Sequence, residues 1–217
     1  MWMEWSQWSK GCYMPKICVP RRNRTCLSRA PYTPSCIGSA LEIKQCRPLP
    51  EVNNTNCKNP LGMENGRIKD SQITASSVLS VDPHADYFAS HARLHLKSSG
   101  RIIGGWAPDA PYLNQFIQVD LGNRTVITKV ATQGRAELTY NQFTSEYSLS
   151  YSDDATDWKD YEGDCVKIFP GNTDQNTVVT NEFEVPIIAR YVRLIVKSWT
   201  SHAFIRMELY GCPYNPA

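Results

Sequence analysis

No window of the 217 residues approaches 18 uninterrupted apolar residues, so no segment is expected to cross a bilayer as a helix. Long stretches with a period of 3.6 are lacking too, which argues against extended amphipathic helices. Charge of one sign is scarce. Lys and Arg total 23 against 21 Asp and Glu, a net of +2, and this gives no electrostatic footprint for nucleic acid. Catalytic signatures are missing as well: no G-x-S-x-G elbow, no Walker loop, no dinucleotide fingerprint, and no local signature of a nucleophile around Cys165. His91 and His95 stand four apart in HARLH, but the glutamate of H-E-x-x-H is absent, so zinc is not expected. The sequence reads as a non-enzyme without a cofactor. Nothing precedes the first Cys-rich stretch that resembles a signal peptide, because Met1-Trp2-Met3-Glu4 has neither a basic nor an apolar region.

What is present is unevenly spread. Six of eight Cys fall in the first 57 residues, and only Cys165 and Cys212 lie beyond. Residues 1–56 carry eight Lys/Arg and three Asp/Glu (+5), whereas 57–217 carry fifteen and eighteen (−3). The Pro- and Asn-rich text RPLPEVNNTN marks the division. About 50 residues bury too little core to be stable unaided, and disulfides are the usual remedy. Dense Cys implies an oxidising compartment, and sequons at Asn23, Asn53 and Asn123 agree. A secreted glycoprotein is expected, as a piece of a longer parent chain with further domains.

Trp2, Trp5 and Trp8 recur every third residue and need partners. If residues 19–26 are extended, Arg22 and Arg24 share a face and can interleave with the indoles, while Asn23 points outward. The stretches WMEWSQWSKGC, RRNRTC, SCIGS and KQC resemble a thrombospondin type-1 repeat over about residues 2–50. That resemblance implies three thin antiparallel strands with Cys26 bonded to Cys36 and Cys12 to Cys46, and C-mannosylation at Trp2 and Trp5. Cys18 is left over, because Pro48-Leu49-Pro50 stands where the family's last Cys belongs. The O-fucosylation pattern is absent. The basic residues not used in the stack, Lys10, Lys16, Arg21 and Arg29, are the candidate contacts for sulfated glycosaminoglycans.

From Phe116 onward short alternating runs follow one another. FIQVDL sets Ile117, Val119 and Leu121 on one face, YSLSY sets Tyr147, Leu149 and Tyr151, YVRLIVK sets Val192, Leu194 and Val196, and FIRMELY sets Ile205, Met207 and Leu209. Such a pattern means an all-β sandwich or jelly roll. Cys57 and Cys212 flank it, and a bridge between them would contribute on the order of 5 kcal/mol by loop closure.

The stretches CKNPLGMENGRIKDSQITASS, ARLHL, GGWAP, FIQVDLG, VATQG, YSLSYSDDATDW, FPGN, PIIARYVRLIV and RMELYGC resemble, in order, a coagulation factor 5/8 C-terminal (discoidin) domain. The expected architecture is therefore a three-stranded disulfide-stabilised repeat at 1–50, a linker at 51–56, a discoidin-type jelly-roll barrel at 57–212 closed by Cys57–Cys212, and a tail at 213–217. The resemblance also implies that HARLH is a strand and that ligands bind at one barrel end, on projecting loops. By position these loops are 78–87, a segment within 97–114, and 135–143. The candidate ligand residues are Val78, Leu79, Val81, Asp82, His84, Tyr87, Arg101, Arg135, Leu138 and Tyr140. Asp82 and Asp86 would repel an anionic surface, so extracellular glycans, matrix proteins or receptors are the expected partners and anionic phospholipid the alternative.

Six carboxylates, Asp153, Asp154, Asp157, Asp160, Glu162 and Asp164, read as a solvated hairpin before a packed Trp158, with weak calcium or mineral attraction as the sharper reading. A similar pairing of modules occurs in adhesive proteins of invertebrate matrices, including coral skeletal ones. A secreted adhesive glycoprotein of the extracellular matrix is the function expected.

Overall fold

The computed structural model describes Glu4, the backbone of 21–23 and 41–43, and residues 57–80, 84–109, 112–137, 139–161 and 166–215. The chain forms two compact units, each considered by itself. In the first, β1 (Arg21–Asn23) pairs antiparallel with β2 (Leu41–Ile43), and Arg22 stands opposite Glu42. The tryptophan–arginine stack, Cys26–Cys36, Cys12–Cys46, Lys10, Lys16 and Arg29 lie outside the described residues, and so do Cys18, Asn53 and Cys165.

The second unit is all-β. It contains β3 (Asn59–Pro60), β4 (Ile73–Ala75), β5 (Phe116–Gln133), β6 (Phe143–Ser152), β7 (Lys159–Asp160), β8 (Phe169–Pro170), β9 (Val179–Thr200) and β10 (Arg206–Pro213). The strand order is β3-β10-β5-β9-β6-β7, with β4 also on β5 and β8 on β6. Its spine is the antiparallel ribbon of β5 and β9, which runs from Phe116 opposite Ile195 to Thr132 opposite Val179 and shifts register twice, after Asp120 and after Ile127. Between Asp120 and Thr125 four residues of β5 face the single Arg190 of β9. Gly122 turns this bulge at φ +79°, in the region that favours glycine. The Asp120 carboxylate grips Arg190 through two 2.8 Å hydrogen bonds, which hold its carboxyl below the ordinary 3.8.

The ribbon feeds two layers. β4 pairs with β5 before the bulge and β10 after it, while β6 pairs with the second half of β9, from Tyr191 to Thr200. Ile117, Val119, Tyr147, Leu149, Leu194, Val196, Met207 and Leu209 from all of these pack into one fully buried cluster with Trp106. Each large side chain so buried contributes about 1.5–3 kcal/mol. Cys57 and Cys212 are joined, with Cα atoms 4.8 Å apart.

Alternation opposes Phe204, Arg206 and Glu208 to Ile205, Met207 and Leu209, but this second face is not exposed: all three are buried. The reason is that their face is roofed by loops whose backbone they bind. The Glu208 carboxylate accepts from the amides of Gly62, Met63, Glu64 and Leu209, at 2.9–3.1 Å. The Arg206 guanidinium donates to the carbonyls of Gly134, Leu96 and Gln175. HARLH is not a strand either. Ala89–His91 is a single 3-10 turn, only Arg93 bridges Met207, and His95 adopts φ +60°. The imidazoles engage separate partners, His91 Nδ1 the Asp86 carbonyl and His95 Nδ1 the Glu64 carboxylate, each at 2.9 Å.

The acidic hairpin is internally bonded. Asp154 accepts from the amides of Asp157 and Thr156 and from the Ser152 hydroxyl, which hold its carboxyl well below the usual range, and Asp153 pairs with Arg124 at 3.1 Å. Trp158 packs under the Arg193 guanidinium, 3.6 Å from the ring centre. Glu162 and Asp164 lie outside the described residues. Among the described residues no group of three or more His, Cys, Asp or Glu is placed to hold a metal ion.

Candidate ligand-binding cleft

An unbent strand of 18 residues would run about 60 Å, yet residues flanking both ends of β5 meet at one place. Asp109 before it and Arg135 after it line the same cleft of about 660 Å³, with Leu79, His84, Ala85, Tyr87, Ile103, Glu137, Tyr140, Gln142 and His202. The ribbon therefore doubles back at its bulge and delivers its loop ends to one side of the barrel. Three segments singled out from the sequence contribute, and a fourth, 201–204 after β9, was not foreseen.

Arg135 is the centre of the cleft and is only 7% exposed. Its Nε and Nη2 donate to Glu137 Oε2, and its Nη1 donates to Gln142 Oε1 at 2.8 Å. The guanidinium carbon lies 4.3 Å from the centre of the Tyr140 ring, 5.0 Å from Phe204 and 5.9 Å from Tyr87. Such stacking suits a planar, weakly hydrated cation. The charge of Arg135 is thus balanced within the loop. Gln175, from beyond β8, fixes that loop by donating to the carbonyls of Glu137 and Tyr140, and its own carbonyl receives Arg206 at 2.8 Å. Burial pushes the Arg206 guanidinium down to about 10. Across the cleft His202 Nε2 donates to the Pro108 carbonyl at 2.8 Å, which sets its tautomer.

Leu79, His84, Tyr87, Arg135 and Tyr140 are therefore brought together as expected positions of one surface. Val78 instead packs against the core. Arg101 sits beside the first loop and bonds to Asp86 through Nε and Nη2 at 3.2–3.3 Å, so Asp86 is not the unpaired charge inferred from sequence. Val81, Asp82 and Leu138 lie outside the described residues. Tyr112 and Leu113, in the turn before β5, are 69% and 63% exposed. Sequence reasoning passed over them because a Tyr-Leu pair carries no outward signal.

Residues 72–209 match the family model of the F5/8 type C domain. Over 158 residues, 72% of this chain, the sequence is 41% identical to coagulation factor VIII of Canis lupus familiaris. Over 159 residues it is 36% identical to the venom prothrombin activator pseutarin-C non-catalytic subunit of Pseudonaja textilis. The matches span 7% and 11% of those relatives' own lengths. Discoidin II of Dictyostelium discoideum superposes with a TM-score of 0.58 at 26% identity, over 66% of this chain and 55% of that one. The topology of the second unit is that jelly roll.

Proposed function

Because the chain belongs to the F5/8 type C domain family, we propose that it is a non-catalytic recognition module whose cleft takes a neutral glycan, within a secreted adhesive glycoprotein. The observation that supports this most is the state of Arg135. Glu137 and Gln142 already occupy its Nε, Nη1 and Nη2. A phosphate or sulfate entering the cleft would approach a guanidinium whose charge the Glu137 carboxylate already neutralises, and Asp109 adds a second negative group. A neutral sugar meets no such repulsion. Its hydroxyls both donate and accept, matching the carboxylates, the Gln142 amide and the imidazoles of His84 and His202. The half-exposed Tyr140 ring offers an apolar platform beside them.

The adhesive role rests on two sites in one chain. Lys10, Lys16, Arg21 and Arg29 of the basic first unit would meet sulfated glycans, and linking two weak sites raises avidity without a new contact. Matrix proteins or receptors bearing those glycans are the natural partners.

The test is a glycan array followed by titration of a neutral hit with the parent chain, Tyr140→Ala and Gln142→Ala. Both variants should lose binding while still melting cooperatively, Gln142→Ala at a lower temperature than the parent because Arg135 Nη1 loses its acceptor. Binding unaffected by either variant would remove the cleft from the reading. A second reading, docking on phosphatidylserine membranes, is favoured by exposed Tyr112 and Leu113 with Phe88 and Ile102. Inserting one such side chain contributes about 1.5–3 kcal/mol. Co-sedimentation with phosphatidylserine vesicles, lost on replacing Tyr112 and Leu113 by alanine, would put that reading first.

A further inference from the structure

Asn65 and Gly66 form the one Asn-Gly dipeptide in the chain. They sit in the turn between β3 and β4, which is pinned on both flanks. On one side the Glu208 carboxylate accepts the amides of Gly62, Met63 and Glu64. On the other the Arg67 guanidinium donates to the carbonyls of Leu61 and Pro60, at 3.1 and 2.6 Å. Between these anchors Asn65 is exposed, and its Oδ1 accepts the Arg67 amide at 3.0 Å. That hydrogen bond draws electron density from the side-chain carbonyl and makes Cγ the better electrophile.

The other reacting partner is unencumbered. Among the described residues none accepts a hydrogen bond from the Gly66 amide, and a Cβ placed on Gly66 would meet nothing within 4 Å. Gly66 adopts φ +74°, a conformation glycine reaches without strain. Nor does any described residue bond to the Asn65 side-chain NH₂, so none of them retains it as a leaving group.

We propose that Asn65 is a site of spontaneous modification, deamidating in the folded protein to an isoaspartyl-Gly-Arg turn. The Gly66 nitrogen gives its proton to solvent base and bonds to Asn65 Cγ. The Cγ–Nδ2 bond breaks, and ammonia leaves with a proton from water. The resulting five-membered succinimide is opened by water. Attack at its main-chain carbonyl leaves the chain running through the former side chain, one methylene longer, with a free carboxylate. Attack at the other carbonyl gives ordinary aspartate. One water enters, one ammonia departs, and no electrons change hands. The new carboxylate arises next to Glu64, whose own carboxylate already binds His95. The added methylene falls in a turn whose two flanks are fixed.

The test uses the whole folded chain, aged at neutral pH and body temperature beside a zero-time sample. Tryptic cleavage after Lys58 and Arg67 isolates residues 59–67, with no cysteine. Expected is a progressive exchange of amide mass for acid mass in that peptide, in two chromatographic products. One of these should accept methyl groups from a protein isoaspartyl methyltransferase. Asn65→Gln, which cannot close the five-membered ring, should stay unlabelled in that peptide. The proposal fails if the folded chain stays unlabelled, whether or not the urea-unfolded chain labels, or if the label lies in other peptides and persists in Asn65→Gln.

Discussion

Replacing Glu208 by alanine should be among the most damaging single changes in the barrel. Its side chain is fully buried, and its carboxylate serves four backbone amides at 2.9–3.1 Å. Three of these bonds, to Gly62, Met63 and Leu209, are themselves buried. Each buried donor left without an acceptor is unfavourable by about 1–3 kcal/mol, and water entering the vacated space would restore part of that. A net loss of about 3–5 kcal/mol follows, from a domain whose total stability is of order 5–15 kcal/mol. Glu208→Gln keeps the shape and one acceptor oxygen but turns an NH₂ toward the remaining donors, so it should be intermediate. Urea unfolding followed by near-UV circular dichroism, with the slope checked for constancy, measures both. A Glu208→Ala chain within about 0.5 kcal/mol of the parent, or one more stable than Glu208→Gln, would refute the reasoning.

Exchanging Cys57 and Cys212 together for serine should lower barrel stability by up to about 5 kcal/mol, and an unmoved unfolding midpoint would show that β3–β10 pairing alone fixes the ends. Acid should act through Asp120: Arg190 lowers its folded pKa, so the stabilisation is present above 3.8 and is lost as the pH falls below that, through the lowered value. Asp120→Asn should then flatten the acid limb of a stability–pH curve, and an unchanged limb would exclude this pair as its source. Asn123 is exposed in the β5 bulge, so secretory expression should give a chain whose mass drops on glycosidase treatment. Asn123→Gln should remove that portion of the drop.

Much of the interior was legible because strand periodicity is local. Ile117, Val119, Leu194, Val196, Met207 and Leu209 all point where simple alternation puts them. The opposite face of β10 was not legible, since Arg206 and Glu208 look like solvent residues until loops from elsewhere cover them. Their burial depends on backbone amides and carbonyls, which every residue carries and no sequence pattern advertises. HARLH fails for a related reason, because a 3-10 turn and a left-handed His95 leave no periodic trace. The loops of the cleft, with Asp109 and Gln142 in them, could be placed by order along the chain, but His202 could not. Their meeting requires the β5–β9 ribbon to fold back at a bulge whose sequence, Leu121-Gly-Asn-Arg124, reads as an ordinary turn.

The Cys57–Cys212 bond makes the barrel a pendant in the mechanical sense. Its two attachment points are 4.8 Å apart at the Cα atoms, although 155 positions of sequence separate them. Tension applied along the polypeptide from either side would pass through a covalent link and bypass the sheet. Hydrogen bonds of β5, β9 and β6 would carry no load, so the cleft would keep its shape while the thread that holds it is stretched. The geometry of the Arg135 cleft would in this way be insulated from a pull on the chain.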